Sequence, residues 1–138
     1  MALAVLAVLA TATVPAYSDY VRRAHLPEAF SNLAAYRLGM EHYFQDHQIY
    51  GSGNGSCADD DTVAGSWNRF SPAGEQLFDY QCTALPAQQG YLITATGRAG
   101  TSVNGHVFSI DQDGVHRTTR FRGAPMHAEC WLTIDTNC

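Results

Sequence analysis

The chain opens on MALAVLAVLATATVP, whose first fourteen residues carry no charge. No other feature restricts the possible folds as much. About 20 apolar residues are needed to cross a bilayer, so the run is short for a membrane span. It lacks a polar face, so it does not suit the surface helix of a soluble core. Read as a signal peptide, with VPA before Tyr17 as a small-residue cleavage site, it lacks the basic start. From Tyr17 onward the pattern is helical. Leu26, Phe30, Leu33, Met40 and Phe44 recur at three-, four- and seven-residue steps, the period of a helix with one apolar face. Ala29, Ala34 and Ala35 favour a helix, and GSGNGS after Tyr50 stops it. The two parts join into one helix of about fifty residues, roughly 70 Å long. One small domain cannot cover that length. Its apolar N-terminal part must be buried by lipid or by other subunits.

Two prolines fall inside this helix. A proline removes a backbone donor and its ring presses on the preceding turn, so a kink or break is expected at Pro15. Pro27 predicts the same, or the first turn of a restarted helix. From residue 51 to Gly65 the chain is rich in Gly, Ser, Asn and Asp, which reads as a loop. Strand patterns occupy EQLFDYQCTA, GYLITATGRAG and NGHVFSIDQDGVHRTTRF, the last with a turn at Asp113-Gly114. The expected fold is α+β: one long N-terminal helix packed on a C-terminal antiparallel sheet of three or four strands. Leu26, Phe30, Leu33, Met40 and Phe44 form the helix–sheet core. The expected divisions are a helix over 1–50, apolar to residue 16 and amphipathic from 17, and a head over 51–138.

Composition narrows the function. The net charge is −5, all eight basic residues are arginine, and the pI is near 5.5. An acidic whole argues against nucleic acid as the main partner, though a local patch remains open. The four cysteines are widely spaced with no C-x-x-C pair, which favours two disulfides and an oxidising compartment over zinc.

His42 and His47, with Glu41 and Asp46 beside them, invite a metal reading, but ligands five residues apart share a helix face poorly. Solvated helix residues are the better account. Asp59 to Asp61 and Asp111 to Gly114 lack the acid spacing of an EF-hand, so a loop and a turn explain them. Asn54-Gly55-Ser56 is a glycosylation triplet, too common a pattern to carry weight. No nucleophile motif, catalytic triad or phosphate-cradling glycine loop is present, so neither an enzyme nor a cofactor is expected. The run HRTTRFRG places Arg117, Arg120 and Arg122 near a strand end. A solvated edge strand, whose charges discourage edge-to-edge aggregation, is preferred here to phosphate contact.

An apolar helix running into ATATVPAYSDYVRRAHLPEAFSNLAAYRLGMEHYFQDHQIYG resembles type IV pilins, above all their minor-pilin relatives. FDYQCT, YLITATGRAG, FSIDQDGVHRTT and the tail from Cys130-Trp131 to Cys138 support the resemblance, which spans nearly the whole chain. It implies a structural subunit of a type IV pilus, serving twitching motility, adhesion or DNA uptake. Its partners would be other pilin subunits, the pilus assembly machinery and the inner membrane, with the head in the periplasm and later on the extracellular pilus. DNA ranks behind these. Pro15, Tyr17, Tyr20 and Pro27 would lie in the bent, assembling part of the helix. Four cysteines allow three connectivities. The expected pairs are Cys57–Cys82, tying the loop to the first strand, and Cys130–Cys138, closing a short loop around Trp131 as the resemblance to the family tail implies.

The family carries Gly-Phe-Thr-Leu-Ile-Glu just before the apolar run, where prepilin peptidase cuts. Here Met1 stands inside that run. The expectation is that this 138-residue form folds its head but stays unprocessed and out of pili, and that the fold survives loss of residues 1–20. Arg22 and Arg23 would face the cytoplasm under the positive-inside tendency, whereas the cysteines place them outside; the cysteines take precedence. A secreted binding or adhesion domain with a degenerate signal peptide, and a type II secretion pseudopilin, are the alternatives.

Overall fold

The computed structural model describes residues 2–51, 55–58, 70–134 and 136–138, with backbone alone for 2–16. One long α-helix, α1, runs Ala2–His47, and a short 3-10 turn at Pro86–Gln88 lies between the first two strands. Five strands come after α1: β1 Phe78–Ala84, β2 Tyr91–Gly97, β3 Val107–Asp111, β4 His116–Phe121 and β5 Ala124–Ala128. They form one antiparallel sheet in the order β1-β2-β3-β4-β5. Each strand pairs with its sequence neighbour, which needs only short connections.

α1 does not break at either proline. It continues through Pro15 and Pro27, and no second helix restarts at Pro27. A proline inside a helix costs about 3 kcal/mol. Pro27 sits on the exposed side, where water can reach the carbonyl it leaves unpaired. Leu26, Ala29, Leu33, Met40 and Tyr43 on the opposite side are each at most 1% exposed, and their burial holds the helix against the sheet. Phe30 and Phe44 sit half-buried at the margins of this stripe.

The sheet offers α1 a matching face. Along β2, Tyr91, Ile93 and Ala95 are buried, while Leu92 and Thr96 are exposed, the alternation of a strand with one covered face. Phe78, Phe108, Ile110 and Phe121 complete the core. Phe30 meets Phe108 edge-on at 5.0 Å and stacks on Trp131 at 4.9 Å. Trp131 is closed from its other side by His116 at 3.7 Å, and its indole N–H donates to the Ser109 carbonyl.

Two polar clamps fix what surrounds this core. Glu28 accepts the Glu75 and Leu77 amides, one on each carboxylate oxygen, and Asn32 exchanges two hydrogen bonds with Ala73. The segment before β1 is thereby tied to α1. Near the helix end, Glu41 accepts both the Tyr91 and the Tyr50 hydroxyls. Burial, then the Glu41 carboxylate, pushes both phenols above their ordinary value, so they stay protonated as donors. Disulfides join Cys57 to Cys82 and Cys130 to Cys138.

β5 exceeds the three or four strands expected. Its entry turn is Arg122-Gly123, with φ of +52° and +83°, and it connects the paired residues Phe121 and Ala124. Two successive positive φ values suit the twist of a tight hairpin. Arginine rarely takes the first of them, and Pro125 argues against a strand except at an edge, where β5 lies.

Candidate functional site

Asp19, on the first turn of α1 to approach the head, is the centre of a cation cluster. Its Oδ1 accepts from Arg22 at 2.8 Å and its Oδ2 from Arg122 at 3.0 Å, with Arg23 3.8 Å away. The i, i+3 and i, i+4 spacings put Arg22 and Arg23 beside Asp19 on the helix surface. Arg122 arrives from the β4–β5 turn. Partial desolvation acts to raise the Asp19 carboxyl, but Arg22, Arg122 and Arg23 together outweigh it and hold it below the usual range. Three guanidinium groups against one carboxylate leave this corner at +2 in a protein whose net charge is −5.

The structure divides the three arginines of HRTTRFRG. Arg117 is spoken for by Asp111, whose Oδ2 it meets at 2.6 Å. Asp111 Oδ1 accepts the Asp113 and Val115 amides, so DQDG is a turn held by its own carboxylate. Burial tends to raise the Asp111 carboxyl, yet Arg117 and these amides hold it low. Arg122 turns to the helix. Arg120, exposed and paired across the sheet with Val107 and Pro125, has no carboxylate partner among the described residues. No continuous stripe forms: Arg117 is held by Asp111, Arg122 joins the Asp19 corner, and Arg120 stands exposed on β4 between them.

Sequence reasoning missed the tie between Asp19 and Arg122, 103 residues apart. D-x-x-R-R within a helix is its one local trace. His106 lies against the same corner. It is 1% exposed, and its Nδ1 donates to the Val103 carbonyl at 3.0 Å. Its Nε2, and Nε and NH2 of Arg22, are buried with no hydrogen-bond partner among the described residues. Desolvation pulls His106 below its ordinary value despite the backbone hydrogen bonds, and Arg22 and Arg122 add to the effect.

Among the described residues no three His, Cys, Asp or Glu side chains are placed to hold a metal ion. His42 is exposed, and His47 stacks on Tyr43. Asn54 and Asp59 to Asp61 lie outside the described residues. Tyr17 and Tyr20 are 71% and 72% exposed, on the same helix as the apolar run. No helix among the described residues is long and apolar enough to cross a membrane.

A long helix carrying a meander sheet on its second half is a pilin architecture. Residues 15–105 match the family described as "Type IV minor pilin ComP, DNA uptake sequence receptor", two thirds of the chain, and the protein belongs to that family. It is therefore a structural subunit of a type IV pilus. The matched span stops before β3, so Arg117, Arg120, Arg122 and the Cys130–Cys138 loop lie beyond it. A solved type IV pilin from Shewanella oneidensis aligns at 16% identity and a TM-score of 0.48, over 69% of this chain and 89% of that one. No curated protein matches.

Proposed function

We propose that this subunit binds DNA during uptake, taking duplex phosphates on the arginine corner where the helix meets the sheet. The family's own description carries the reading and gives DNA more weight than the acidic composition does. The geometry supports it: Arg23 and Arg122 are nearly half exposed, and Arg120 has no acidic partner among the described residues. Phosphate is attracted by such local excess charge even on an acidic protein. Residues 1–50 then serve as the helix that packs with other pilin subunits and holds the protein in the inner membrane before assembly, with Tyr17 and Tyr20 in that packing. Residues 51–138 form the head that meets DNA.

The test is duplex binding across a salt series. Converting Arg23, Arg120 and Arg122 to Ala is expected to weaken binding and to flatten the slope of log K against log salt by about 1 for each phosphate no longer neutralised. Unchanged affinity and slope in the triple variant overturn the placement. Absence of binding by the unaltered protein overturns the DNA reading itself.

A further inference from the structure

A recess lies away from the arginine corner, between the second half of α1 and the start of β1. It is a cavity of about 300 Å³ whose walls include Tyr36, Phe70, Pro72 and Tyr80, with Asp79 and Arg98 at its polar side. Tyr36 and Phe70 stack face to face at 4.3 Å, and Tyr80 meets Phe70 edge-on at 5.6 Å. Asp79 Oδ1 accepts from Arg98 Nε at 2.7 Å. Both members of that pair stay exposed, with side chains 66% and 42% accessible. The second Asp79 oxygen and the two terminal Arg98 nitrogens have no protein partner among the described residues. Neither the helix–sheet core nor the Asp19 corner uses these groups.

The chemistry of the recess selects its ligand. The ion pair sums to zero, so no net charge draws a charged ligand in. A phosphate would meet the Asp79 carboxylate, and a cation would meet Arg98. What suits the pair is a neutral group offering donors to Asp79 and acceptors to Arg98 together, as adjacent hydroxyls do. The aromatic wall asks for a flat apolar face against it. The volume lies at the lower end for ligand pockets and suits one ring. We propose that this recess binds a single neutral pyranose unit of a glycan, its C–H face against the aromatic wall and two neighbouring hydroxyls on Asp79 and Arg98. A nucleobase would also stack on the wall, but its own phosphates would be carried beside Asp79. The proposal stands apart from DNA binding, because it uses none of the corner arginines.

The experiment is an NMR titration of the full chain in a zwitterionic detergent without a sugar headgroup. The probes are the methyl glycosides of glucose, galactose, mannose and N-acetylglucosamine, and a short single-stranded oligodeoxynucleotide. At least one glycoside is expected to shift the Asp79, Tyr80 and Arg98 amide signals saturably. Asp79→Asn and Arg98→Gln, both at exposed positions, are each expected to weaken that binding about tenfold or more, since each removes a charge-assisted hydrogen bond. Phe70→Ala is expected to weaken it through the wall. Three results overturn the proposal: no saturable shift with any glycoside, shifts that survive both Asp79→Asn and Arg98→Gln, or saturable shifts at these residues with the oligonucleotide alone.

Discussion

At the scale of single residues, His106 shows how a side chain can be conspicuous in structure and silent in sequence. Nothing in SVNGHVFS marks its histidine as buried, because only Phe108 of its neighbours lies in that stretch, while Phe121, Arg122 and Arg22 come from β4, the turn after it and the helix. Asn32 is similar: a mid-helix asparagine has no local signal for a partner forty-one residues on. Leu26, Leu33 and Met40 are legible because periodicity alone identifies them. The buried, neutral His106 carries a pH consequence. Its folded-state value lies below 6.5, so the unfolded chain binds the proton more readily between the two values. Stability therefore falls as pH drops below about 6.5 and levels off once the folded protein also takes the proton. In His106→Asn, whose amide can still donate to the Val103 carbonyl, this part of the acid sensitivity is expected to vanish. Urea unfolding at pH 7.5 and 5.5 measures it. An equal loss in both proteins would show that His106 does not titrate as described.

At the scale of elements, the long helix and the first four strands are readable because each announces itself by period. α1 shows helical spacing, β2 alternates, and Asp113-Gly114 marks the β3–β4 turn, where Gly114 has a φ of +75°. β5 is not readable. APMHA has a proline and no β-branched or aromatic residue, and it comes after a turn that places arginine at positive φ. What completes that side of the sheet is the tail rather than the strand. The Thr118 hydroxyl donates to the Cys130 carbonyl and accepts the Leu132 amide, and Trp131 lies between Phe30 and His116. The Cys130–Cys138 bridge closes a short loop beside these groups. Removing such a bridge typically costs about 2–4 kcal/mol through the freedom restored to the unfolded chain. Replacing Cys130 and Cys138 together by Ser is expected to lower stability by about that amount, read by urea unfolding, while Trp131 fluorescence in water stays native-like. A Trp131 signal already unfolded in water would show that the bridge, and not the aromatic stack, holds the tail.

At the scale of the whole molecule, the helix has two regimes that meet near Asp19. Below it lies the apolar run, which the pilin reading assigns to lipid and to neighbouring subunits. From Arg22 onward the buried face belongs to the head, beginning with Leu26. Sequence periodicity places this junction only loosely, and the structure puts Asp19 just inside an expected cut after residue 20. Such a cut removes Asp19 and leaves Arg22, Arg23 and Arg122 facing one another without their carboxylate. Residues 17–138 retain Asp19, the core stripe and the whole described sheet. This form is expected to fold with a Tm close to that of the full chain and to remain dispersed without detergent. The form beginning at residue 21 is expected to melt lower, because like charges crowd the corner. Added salt screens exposed charges, so the gap between the two forms should narrow as ionic strength rises. Acid should close it from the other side: the depressed Asp19 value means its contribution is present at neutral pH and is lost as pH falls below about 4. Calorimetry of both forms at low and high salt measures this. Equal Tm values at low salt and neutral pH would show that Asp19 does not neutralise the corner.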